Sequence, residues 1–83
     1  MEYIEPIINR VEMILGDTYN IRYTYNPVDC TLLVKVTRND SDWKLEMIFS
    51  EYDLQLNQTT IAGAMATAIV REFNEWLNND KED

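Results

Sequence analysis

Histidine is absent, cysteine occurs once, and glycine and proline occur only twice each. Each shortage excludes something. Without histidine there is no Ser-His-Asp or Cys-His nucleophile arrangement. The single thiol, Cys30, allows no intrachain disulfide, so the fold does not depend on an oxidising compartment. One thiol without imidazoles does not make a zinc site. Asp40-Ser41-Asp42 lacks the downstream glycine and glutamate of a calcium loop. Gly16 and Gly63 belong to no Gly-rich phosphate loop. Neither a cofactor nor a metal is implied, and the chemistry left over does not suggest an enzyme. Long apolar runs are missing too: Ile61 to Val70 is far shorter than a membrane span and contains Gly63 and Thr67. The opening Met-Glu-Tyr-Ile-Glu-Pro lacks the basic start and apolar run of a signal peptide. The expectation is a soluble cytoplasmic protein without membrane contact.

Cations are the remaining scarcity. Seven Lys+Arg stand against fifteen Asp+Glu, a net charge of −8 on 83 residues. Such a surplus opposes compaction, repels nucleic acid and anionic membranes, and attracts basic protein surfaces. Yet apolar residues make up 46% and aromatics 11%, too many for a disordered acidic tail. Eighty-three residues make one domain, 1–83. At this size about 60–65% of the unfolded surface can be buried, so stability should be modest, or helped by self-association.

Apolar periodicity orders the chain. Ile4, Ile7, Ile8, Val11, Ile14 and Leu15 fall on one face of a helix over about 3–15. Pro6 is tolerated only in its first turn, and Gly16 suits its end. Tyr19, Ile21, Tyr23 and Tyr25 alternate through a strand at about 19–25. The turn Asn26-Pro27-Val28-Asp29 follows. Leu32, Val34 and Val36 then mark a strand at about 30–38. After Asn39-Asp40-Ser41-Asp42, Trp43, Leu45, Met47 and Phe49 mark another at about 43–50. Cys30, heading an apolar alternation, reads as a small buried thiol. Residues 51–58 alternate at Tyr52, Leu54 and Leu56 without a turn signal; they could extend the third strand or form a connection. Thr59 or Thr60 suits the N-cap of a final helix over about 60–78, with its stripe at Ile61, Met65, Ala68, Ile69, Phe73, Trp76 and Leu77. Asn78-Asn79 ends it, and 80–83 is a short acidic tail. The smooth stretch Ala62 to Ala68, with Gly63 at its start, suggests close approach to the sheet or first helix, or alternatively a subunit contact.

The expected fold is therefore α+β, in the order α-β-β-β-α. A three-stranded antiparallel meander carries both helices on one face. The open face would hold Arg22, Thr24, Thr31, Leu33, Lys35, Lys44, Glu46 and Ile48. Tyr19, Tyr23 and Tyr25 share a side of the first strand, at the core margin with hydroxyls reaching water.

The acid is unevenly placed. Residues 1–17 balance at −3, residues 18–50 at zero and residues 51–83 at −5. Carboxylate pairs such as Glu2/Glu5 and Glu72/Glu75 are spaced to share a helix face, but these are polar faces, which favours solvation over acid–base chemistry. Two readings of the surplus stand: a solubilising surface, or a fixed array that meets a basic groove on another protein.

The order α-β-β-β-α also resembles the double-stranded-RNA-binding domain. That resemblance implies a basic cluster opening the last helix, and Asn57-Gln58-Thr59-Thr60-Ile61-Ala62 carries no positive charge. In size, charge and helix–sheet composition the chain resembles, at class level, small acidic phage-encoded inhibitors, including DNA mimics of the anti-restriction and anti-CRISPR type. This resemblance implies a non-enzymatic inhibitor in the host cytoplasm. It would bind a nuclease or DNA-binding protein and not nucleic acid itself. The partner-binding candidates are Glu2, Glu5, Glu12, Asp17, Asp40, Asp42, Glu72 and Glu75. The alternative is a self-associating assembly module, a homodimer through the Ala62-to-Ala68 surface or the sheet edge.

Overall fold

The computed structural model describes residues 3–57 and 60–81. Its elements are α1 (Ile4–Leu15), β1 (Tyr19–Asn26), β2 (Thr31–Arg38), β3 (Lys44–Ser50), α2 (Glu51–Leu56) and α3 (Ile61–Lys81). The strands form an antiparallel sheet in the order β1-β2-β3, as the two short turns require. Register is continuous: Tyr19 faces Arg38 and Tyr25 faces Leu32 across the first pair, and Leu32 faces Phe49 and Val36 faces Leu45 across the second.

Because side chains alternate across a strand, that register stacks Leu32, Val34 and Val36 on one face of the central strand. All three are buried, in one cluster with Ile4, Ile7, Ile8 and Val11 of α1 and with Ala62, Met65, Ala66, Ile69 and Phe73 of α3. Both long helices therefore share the core beneath that face, an α+β layering with the other face left open. No buried polar or charged residue interrupts the core among the described residues. None of their helices is long and apolar enough to cross a membrane.

Local chemistry sets the joints. Pro6 lies in the first turn of α1, where its missing N–H forfeits no helix bond. Gly16 ends α1 at φ 79°, a backbone state that glycine adopts without a Cβ penalty, and its N–H bonds Glu12 O at 2.9 Å. In the first hairpin turn Asn26 organises the backbone: its Oδ1 accepts from Val28 N at 2.9 Å.

Of the two readings open for the segment after β3, the structure takes the connection: residues 51–56 form a helix, which the Ser50 hydroxyl caps by accepting from Asp53 N at 3.1 Å. The structure departs from the sequence reading at four places. Cys30 is exposed, not buried; it closes the turn at φ 55° while β2 begins one residue later. α3 runs through Asn78-Asn79 to Lys81. Gly63 marks no close approach, since a Cβ added there meets nothing within 4 Å; Ala62 and Ala66 make the close packing instead. Two tyrosine hydroxyls are bound by protein groups and do not simply reach water, as described below. Thr59, Glu82 and Asp83 lie outside the described residues.

Candidate functional site

The alternation that buries Val34 and Val36 also puts Arg38, at the end of β2, on the core side of the sheet. There it lies over Phe73 of α3, with Cζ 3.9 Å from the ring centroid, and over Tyr19 at 4.7 Å. Its fork donates to Asp40 twice, Nε to Oδ1 at 2.9 Å and Nη2 to Oδ2 at 2.7 Å, and Nη1 donates to the Tyr19 hydroxyl at 2.9 Å. The Asp40 carboxylate raises the guanidinium pKa further above its high ordinary value. In return the Arg38 hydrogen bonds hold Asp40 below the usual carboxylate range. This is the only ion pair among the described residues.

Around that clasp the aromatics pack in series. Trp43 meets Phe73 edge-on at 5.4 Å, and Phe73 stacks on Trp76 at 5.8 Å with 29° between planes. The series carries α3 past the start of β3 and leaves a groove of about 320 Å³ between them. Its walls are Trp43 and Trp76, and its rim carries Asp42, Glu72 and Glu75, with Lys44 and Asn79 beside them. Asp42, Glu72 and Glu75 are exposed, and none is ion-paired among the described residues. Glu72 and Glu75, three apart on α3, occupy neighbouring positions of one helix face. Carboxylates beside an indole suit a guanidinium or ammonium, through charge-assisted hydrogen bonds and ring contact.

The other sequence-derived candidates are placed elsewhere. Glu12 and Asp17 line a separate depression of about 340 Å³ with Tyr19, Asn20 and Arg22. Glu5 is exposed in the first turn of α1. Asp40 is held by Arg38, and Glu2 lies outside the described residues. The candidates thus form separate patches, with three of them at one groove. Sequence reasoning missed Trp43, Trp76 and Arg38 as parts of this site. The signal for Arg38 was its even spacing from Leu32, Val34 and Val36; the tryptophans read only as core.

Elsewhere the surface has two further features. On the open sheet face Arg22 lies directly opposite Lys35, and Lys35 opposite Glu46. Between α1 and α3 runs an apolar groove of about 570 Å³ lined by Ile14, Leu15, Tyr19, Gly63, Ala66, Thr67, Val70 and Arg71. At the other end of the sheet, the Tyr25 hydroxyl donates to Glu51 Oε2 at 3.1 Å, and the Tyr3 hydroxyl is buried near the same carboxylate without completing a hydrogen bond. Burial, and next the Glu51 carboxylate, push Tyr25 up to about 12 and raise Tyr3 in the same direction. No three His, Cys, Asp or Glu side chains among the described residues converge closely enough to hold a metal ion. No protein-family model, curated protein or solved structure matches this chain.

Proposed function

We propose that this protein is a non-enzymatic, protein-binding inhibitor whose acidic surface occupies the nucleic-acid-binding site of a nuclease or DNA-binding protein. The observation that carries the reading is the groove where Asp42, Glu72 and Glu75, all exposed, meet Trp43 and Trp76. A basic groove evolved to hold phosphates presents Arg and Lys in rows, and carboxylates on a folded scaffold can meet those rows as phosphates do. The half-buried Trp76 adds rigid contact area, the kind that dominates protein interfaces.

The test is capture of partners from a cell lysate on the immobilised protein at low and high salt. Partners rich in nucleic-acid-binding proteins, released as salt rises and displaced by duplex DNA, are the expected result. Replacing Asp42, Glu72 and Glu75 by Asn, Gln and Gln should weaken the captured complex by at least about tenfold. Capture indifferent to salt, or unchanged in the triple variant, rules out charge mimicry at this groove.

A further inference from the structure

We infer that the open face of the sheet binds a small phosphate monoester, its phosphate over Lys35 and its organic part over Ile48. Pairing across the strands sets this face out as a grid. Asn20, Thr37 and Lys44 form one row, Arg22, Lys35 and Glu46 the next, and Thr24, Leu33 and Ile48 the third. All six residues of the first two rows line one depression of about 370 Å³. Guanidinium, ammonium, hydroxyl and amide donors thus border a single space, and Glu46 is the only carboxylate lining it. β1 and β2 contain no Asp or Glu, in a chain that has fifteen. The pairing also carries a conflict. Arg22 directly opposite Lys35 is a like-charge pair, which weakens a sheet. Arg22, Lys35 and Lys44 form no ion pair among the described residues. Local conflicts of this kind are expected where function requires them, and a bound anion relieves this one.

Charge and extent choose the ligand. Three cations and one carboxylate leave the depression at +2. A phosphate monoester, at about −1.5 to −2 near pH 7, matches that charge, and a carboxylate carries only half of it. The arginine supplies a fork and the lysines point charges, both suited to phosphate oxygens. Arg22 also borders the depression that holds Glu12 and Asp17, and Lys44 borders the groove that holds Asp42, Glu72 and Glu75. A nucleic-acid strand or an anionic membrane spanning the face would meet those carboxylates and the net charge of −8. A compact anion over Lys35, on the middle strand, lies between them. Ile48, 71% exposed beside Leu33, offers the organic part an apolar seat in the third row.

The experiment is a nuclear magnetic resonance titration of the labelled protein at constant ionic strength, with phenyl phosphate, inorganic phosphate, benzoate and a short DNA duplex as probes. Saturable shifts at the amides of Arg22, Lys35, Thr37 and Lys44 are expected with phenyl phosphate, at a Kd of about 1 mM or below. Inorganic phosphate should bind the same amides more weakly, and benzoate should not saturate. The chain has no histidine, so lowering the pH from 7 to 5 protonates the phosphate while the three cations stay charged, and affinity should fall. Lys35→Gln should weaken binding by at least about tenfold. Arg10→Gln, which removes the same charge from an exposed position on α1, should leave it unchanged. Both sites are exposed, so neither variant threatens the fold; the amide spectrum itself checks this. Shifts that never saturate, benzoate binding as tightly as phenyl phosphate, or equal losses in the two variants overturn the inference. Stronger shifts of the same amides by the duplex also overturn it, and would assign the face to nucleic acid.

Discussion

At the scale of single residues, Arg38 joins pieces distant in sequence: it clamps Asp40 of the second turn, the Tyr19 hydroxyl of β1 and the Phe73 ring of α3. Truncating it removes ring contacts, a two-pronged charge-assisted hydrogen bond and the packing of its stem at once. Arg38→Ala should therefore cost about 2 kcal/mol, a fall of about 10 °C in the thermal midpoint for a domain of this size. Arg38→Lys should recover little of it, because an ammonium cannot make the fork. A midpoint unchanged by Arg38→Ala would mean the clasp is ornamental. Tyr25 gives the complementary pH test. Its folded pKa, about 12, lies above the ordinary value of 10.0. The folded state thus holds the proton more tightly, so this stabilisation is complete below pH 10 and disappears as pH rises from 10 through 12. Urea midpoints measured across that window should fall, and Tyr25→Phe should flatten the fall. Asp40 acts in the opposite direction: its lowered pKa gives stability present above the ordinary carboxyl range and lost as pH drops through the folded value.

At the scale of elements, caps and glycines make separable contributions. Ser50→Ala removes the side-chain bond that starts α2 and should cost about 1 kcal/mol. Gly63→Ala should stabilise by about 0.5–1 kcal/mol, since α3 gains helix propensity and the methyl meets open space. Denaturant midpoints moving in opposite directions for these two variants are the expected result; loss of stability in Gly63→Ala would show that the groove floor tolerates no side chain. The elements visible in the sequence were those with long periods. α1, three strands and α3 each repeat their apolar signal at least three times, and the two polar turns separate the strands cleanly. The element between 51 and 56 was hidden because it is too short for a helical period to show. Only Leu54 of its apolar residues is buried, while Tyr52 and Leu56 are exposed at 69% and 64%, so an apparent alternation arose by coincidence. Ser50 with Asp53 three residues on was the available signal. Cys30 misled for a related reason: its alternation with Leu32 was real, but a four-residue turn must close, and residue 30 closes it with a left-handed backbone.

At the scale of the molecule, the acid surplus and the sheet's open face give the protein two unlike sides. Three of its seven cations, Arg22, Lys35 and Lys44, project from the strands away from the core, while Glu5, Glu12, Glu72 and Glu75 are exposed on the helices. Self-repulsion at net charge −8 weakens the fold, so added salt should raise the thermal midpoint. A scanning calorimetry series in sodium chloride showing no rise would mean that local attractions already cancel the surplus. The site was only partly legible for a physical reason: sequence shows which residues are charged, but which carboxylates converge is decided by how α3 crosses the second hairpin, a tertiary fact set by aromatic packing.

That aromatic packing also gives the molecule an optical reporter. Its two tryptophans occupy unlike surroundings, Trp43 being 5% exposed against Phe73 while Trp76 is only half-buried at the groove wall. Emission from the buried indole follows the integrity of the fold, and emission from the other follows what enters the groove. Fluorescence of the unlabelled protein can therefore follow both unfolding and occupancy, with Trp76→Phe separating the two signals.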